Sequence, residues 1–163
     1  MEIKFNQAEL VDIINEDIDR LAARSYSEEG ASLFESIRIK SRDVGVQRRM
    51  IEERDARLRS LIAFCLGAKE SEDITESKDG KDVVIGTNVV FEILDDKCSK
   101  PSPSTMKVLL RKYLTDGVLY DWYTKHGIAS SITFEDIEAQ EQKIVCTLRQ
   151  GYTKKPLQPF GPR

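Results

Sequence analysis

Apolar residues recur at helical spacing over four stretches of this chain and crowd into a β-branched run over a fifth. From Gln7 to Arg24, Val11, Ile14, Ile18 and Leu21 make a stripe that Leu10, Ile13 and Ala22 widen. Asn6 suits the N-cap, and Glu9 completes a capping box. After a polar loop at 25–30, Leu33, Phe34 and Ile37 fit a short helix or turn. Ser41 or Asp43 then opens a long helix to about Leu66, with Val44, Ile51, Leu58, Ile62 and Cys65 near one face and Gly67 as its stop. Residues 68–81 are polar and acidic, carry a turn signal at Asp79-Gly80, and read as a linker or mobile loop. The run at 83–94 reads as a β-hairpin centred on Gly86-Thr87-Asn88, with Val89, Phe91 and Ile93 on one face. Pro101 and Pro103 make 95–104 a connection. Ser104 or Thr105 caps a helix to about Lys125, whose stripe includes Met106, Leu110, Tyr113, Leu114, Val118 and Trp122. Thr133 and Asp136 form a capping box for a last helix to Gln150, and the short link makes these two helices antiparallel neighbours.

These elements predict a mainly α fold: an antiparallel bundle of four to five helices with a β-hairpin insertion at about 82–94. One domain covers 1–151. Residues 152–163, with Pro156, Pro159 and Pro162, form an extended C-terminal arm that reaches ~35 Å at ~3.1 Å per residue.

Composition refines this picture. The chain has 163 residues, 40% hydrophobic and 33% charged, with a net charge of −3, which excludes a disordered chain and the general basic excess of a dedicated nucleic-acid binder. The charge is blocked, however. Residues 1–37 hold 9 acids and 3 bases, 38–68 hold 4 and 8, 69–97 hold 9 and 4, and 98–163 hold 6 and 10. Acidic and basic faces of this kind steer association and set its register. The start lacks the apolar core of a secretory signal, and no run of ~18 apolar residues is long enough to span a membrane.

No catalytic constellation is legible. The one histidine, His126, precedes Gly127 at a helix end, where a basic group complements the helix dipole. Cys65, Cys98 and Cys146 make neither a Cys-x-x-Cys pair nor an even disulfide set, and Cys65 and Cys146 read as small core hydrophobes. Glu52, Glu53 and Asp55 interleave with Arg48, Arg49, Arg54 and Arg57, a pattern of i,i+4 ion pairs on a solvated helix rather than a metal cage. Gly80 and Gly86 lack the Lys-Ser pair of a phosphate cradle. The expectation is a protein without enzymatic activity, cofactor or metal. Its candidate contact residues lie in the arm: Lys154, Lys155, Pro156, Pro159, Phe160, Pro162 and Arg163, pre-extended for docking into a groove.

The stretch ELVDIINEDIDRLAARSYSEEGASLFESIRIKSRD at 9–43, then a short β segment, a Trp/Tyr-bearing helix, another helix and the ending TKKPLQPFGPR, resembles small proteins encoded in the virion gene clusters of tailed phages and prophages. The resemblance covers nearly the whole chain in order of elements and is specific over 9–43 and the arm. It implies a structural virion component of the neck, a head–tail connector, adaptor or tail-completion protein. Such a protein is made in the bacterial host cytoplasm and acts as a homo-oligomeric ring against portal, neck or tail proteins, without membrane or specific nucleic-acid partners. A cytoplasmic tail-assembly chaperone not retained in the particle is the first alternative. A small helical DNA-binding regulator is the second, disfavoured because ~8 residues separate the last two helices where a helix-turn-helix uses 3–4.

Overall fold

In the computed structural model, which describes residues 1–24 and 43–149, four helices and a three-stranded antiparallel sheet pack around one core. The strands are β1 (Glu2–Asn6), β2 (Ser71–Lys78) and β3 (Lys81–Glu92), in the order β1-β3-β2. The helices are α1 (Gln7–Arg24), α2 (Val44–Ile62), α3 (Pro103–Lys125) and α4 (Phe134–Arg149), and a 3-10 turn, Ala63–Cys65, follows α2. This corrects the expected mainly α bundle to an α+β fold. The arm at 152–163, with all seven of its candidate contact residues, lies outside the described residues, as does the segment with Leu33, Phe34 and Ile37.

Both strand corrections have a physical cause. β1 buries Ile3 and Phe5 and exposes Glu2 and Lys4, an alternation too short to stand out ahead of a helix cap. Its partner is far along the chain, with Ile3 opposite Phe91 and Phe5 opposite Val89. β2 carries one apolar residue, Ile74, so its composition reads as a linker. It is a strand because β3 supplies the ladder and the turn fixes the register, Lys78 opposite Lys81. Asp79 and Gly80 both have positive φ, 53° and 73°, the type I′ geometry whose twist matches a two-residue hairpin. The hairpin therefore turns at 79–80 rather than at 86–88, and β3 runs through Gly86 as one strand.

The helices keep closer to the periodicity. Asn6 caps α1 by accepting the Ala8 N–H at 2.8 Å. Ser102, not Ser104 or Thr105, caps α3, with Pro103 in its first turn. The capping box of α4 forms as the spacing implies: Thr133 N–H donates to Asp136 at 2.9 Å and Asp136 N–H to the Thr133 hydroxyl at 3.2 Å. The core runs between the sheet and α3. Ile3, Phe5, Val89, Phe91 and Ile93 meet Ile14 and Ile18 of α1 and the stripe Met106, Leu110, Leu114, Val118 and Trp122. Helices α3 and α4 are antiparallel, since Asp116 pairs with Gln140 while the earlier Tyr113 pairs with the later Glu141. Cys146 is exposed rather than in the core; Cys65 is buried.

Candidate functional site

Helix α2 was expected to present i,i+4 ion pairs on a solvated face. Arg48, Arg49, Glu52 and Glu53 are exposed and Asp55 pairs with Arg59 at that spacing, but Arg54 and Arg57 turn to other helices instead. Arg54 is 9% exposed and holds Asp121 of α3 through two bonds, 2.8 and 2.5 Å. Arg57 holds Glu141 of α4 through two more, 2.5 and 2.9 Å, and Glu141 is 5% exposed. The Tyr113 hydroxyl donates to the same carboxylate at 2.9 Å. Burial, with Glu141 beside it, pushes the Tyr113 phenol well above its ordinary range, so it stays a donor at physiological pH. Bidentate pairing of this kind fixes orientation as well as distance, so these groups tie three helices in one register.

Arg59 performs the corresponding task for the sheet. Its guanidinium donates to the carbonyls of Val90 at 2.6 Å and Glu70 at 3.0 Å, takes Asp55 at 2.7 Å, and lies 4.8 Å from the centre of the Phe91 ring. Burial pushes the Asp55 carboxyl above its ordinary range against the pull of Arg59. On the other face of the sheet Lys4 bonds Glu72 at 2.5 Å and Glu2 at 3.0 Å, but these groups are solvent-accessible and contribute little. The foot of the hairpin is thus clamped to α2 through Arg59. A cleft of about 440 Å³ beside that clamp is lined by Gln7, Asp55, Arg59, Glu70, Ser71 and Thr87, among others.

Beyond its foot the hairpin leaves the body. From Thr75 to Ile85 every residue of the two strands and turn is exposed. Val83, Val84 and Ile85 are 45%, 55% and 59% exposed, and they are consecutive, so both faces of the ribbon carry apolar surface. Ile74 pairs with Gly86 and Thr75 with Val84, which leaves Ile85 as the extra residue of a β-bulge. Among the described residues the outer edge of β2 has no strand beside it. A two-stranded ribbon with no third layer is marginal in water, and exposed strand edges invite pairing. A clamped foot and an uncovered apolar end are the features of a docking element, and they make this ribbon the candidate site.

Sequence reasoning misplaced this ribbon for one reason. The turn signal at Asp79-Gly80 was visible, but the acidic strand before it read as a linker, so Val83, Val84 and Ile85 were placed inside a shorter hairpin instead of at the end of a long one. His126 caps α3, with Nδ1 2.8 Å from the Trp122 carbonyl and its ring tilted against the indole, the centroids 4.4 Å apart. Burial pushes the Cys65 thiol up to about 12, which leaves it a weak nucleophile. Among the described residues no three His, Cys, Asp or Glu side chains gather as metal ligands, and no helix is long and apolar enough to cross a membrane. Of the basic run from Arg38 to Arg59, Arg54, Arg57 and Arg59 are committed to the contacts above, while Arg38, Lys40 and Arg42 lie outside the described residues. Comparison with family models, with curated proteins and with solved structures finds no match to this chain.

Proposed function

We propose that this chain is an assembly protein, a subunit that works by gripping other proteins through its projecting β-ribbon. On the sequence resemblance described above, its place is the neck of a tailed-phage virion, as a connector, adaptor or tail-completion protein. The observation that carries the assembly reading is the exposed Val83-Val84-Ile85 run on a ribbon whose foot is clamped by Arg59. Such a ribbon serves as a strand donor or as a wedge, two recurring modes of protein recognition. The blocked charge of the chain supports the same reading, because a ring needs two unlike faces on each subunit.

Mass spectrometry of particles purified from cells that carry the gene tests the placement. The chain is expected in the particle in multiple copies alongside portal and tail proteins. A chain abundant in the lysate, bound to tail proteins and missing from finished particles would replace the neck reading with the chaperone reading. A chain in neither place would end both.

A further inference from the structure

We infer that the ribbon of one copy is the docking site for the C-terminal segment of a second copy, residues 150–163, so that the chain associates head to tail with itself. The inference rests on the assembly reading, which supplies the second copy. Three observations lead to it.

The first is charge. Residues 70–82, which include β2 and the turn, hold six acids (Glu70, Glu72, Asp73, Glu76, Asp79 and Asp82) against two lysines. Two such ribbons repel each other, so edge-to-edge pairing of β2 with β2 is disfavoured. Residues 150–163 hold Lys154, Lys155 and Arg163 and no acid. The second is apolar content. The ribbon offers Val83, Val84 and Ile85, and the C-terminal segment offers Leu157 and Phe160. Pro156, Pro159 and Pro162 remove every third N–H, so the segment cannot complete a regular ladder on β2. Side-chain burial and charge pairing, rather than strand addition, hold the contact.

The third is position. Helix α4 ends beside the foot of the hairpin: the Arg149 guanidinium lies 4.9 Å from the centre of the Phe64 ring, and Ser99 N–H donates to the Leu148 carbonyl at 2.8 Å. Phe64 belongs to the 3-10 turn that leads into Leu66, which bridges to Ile93. Fourteen residues span at most ~50 Å, and the twelve residues of β3 ~40 Å, so the segment can cross to a neighbouring subunit and still cover its ribbon. One chain therefore carries both halves of a complementary pair, the segment reaching its own ribbon as well as a neighbour's, so a wild type that stays monomeric in sedimentation overturns the inference. Unlike halves make a heterologous contact, which closes into a ring or grows into a filament.

Two variants of the full chain test this in sedimentation velocity. Val84→Asp with Ile85→Asp spoils the ribbon, and Lys154→Glu with Lys155→Glu spoils the C-terminal segment. The wild type is expected to self-associate, more weakly at high salt because charge pairing contributes to the contact. Each variant alone should remain a monomer, with a circular dichroism spectrum like that of the wild type, since Val84 and Ile85 are exposed. An equimolar mixture should form dimers and stop there, because one intact ribbon and one intact segment remain. A mixture that stays monomeric, or a variant that associates as the wild type does, overturns the inference. If the mixture stays monomeric while the ribbon variant is lost from purified particles, the assembly reading survives and only the identity of the occupant falls.

Discussion

Replacing Glu141 by alanine is expected to lower the unfolding free energy by about 3 kcal/mol, within the ~3–5 kcal/mol range for a broken buried ion pair. The carboxylate is 5% exposed and serves two partners, Arg57 and Tyr113. The Arg57 side chain is 45% exposed, so its abandoned charge can return to water, which keeps the loss at the low end of the range. The Tyr113 hydroxyl cannot do the same, and its desolvated O–H, left with only the Arg54 carbonyl at 3.4 Å, adds to the cost. A loss of this size lowers Tm by roughly 6–12 °C for a chain of this length. Glu141→Gln keeps an acceptor for the phenol and should cost clearly less. Urea unfolding curves with unchanged slope check both. If Glu141→Ala shifted the midpoint no further than a surface substitution, the three-helix staple would not be holding the helices together.

The second large effect is at Gly117, in the middle of α3. Elsewhere an exposed Gly→Ala change inside a helix stabilises by up to about 1 kcal/mol. Here a Cβ would lie 3.0 Å from Arg54 Cδ and 3.1 Å from its Nε, and Arg54 is held by its two bonds to Asp121. Gly117→Leu is expected to expel Arg54 from Asp121 and destabilise by ~3 kcal/mol or more, as overpacking and the broken pair combine. Gly117→Ala decides the mechanism through its partner. It should destabilise the native sequence but stabilise an Arg54→Ala background, because only helix propensity then remains. A change of sign across that double-mutant cycle is the expected result. The same sign in both backgrounds would mean that Gly117 is there for some reason other than room for Arg54.

The helices were legible because each one writes a stripe. Ile14 and Ile18, Ile51 and Leu58, Leu110 and Leu114, and Ile137 and Ile144 all recur at four or seven residues, and all are buried. Of the sheet, the β3 region was legible, with Val89, Phe91 and Ile93 buried as their alternation implies, and the other two strands were not, for reasons particular to each. β1 is five residues long and meets a partner more than eighty residues away, so nothing local marks it. β2 has its polar composition because most of it touches no core, and a strand outside the core needs no alternation. The ion pairs failed differently. RRMIEERDARLR shows opposite charges at helical spacing, and Asp55 with Arg59 uses that spacing. Arg54 and Arg57 instead turn to Asp121 and Glu141, whose positions in space depend on where α3 and α4 pack. Whether an arginine is solvated or buried is set by its neighbours in the fold, and no window of sequence carries that. The docking ribbon combines both failures: its apolar residues were visible, and their exposure was not.

Hydrogen exchange on the amides of β2 and β3, in the free protein and in the assembled state, tests the central claim most directly. Free, the foot of the ribbon at 87–92 should exchange slowly and the outer part at 74–86 quickly, since a two-stranded ribbon without a third layer opens readily. In purified particles, or in the self-associated protein, the outer amides should become protected while the foot changes little. Outer amides that exchange as fast in the assembly as in the free chain, with new protection confined to other surfaces, would contradict the account.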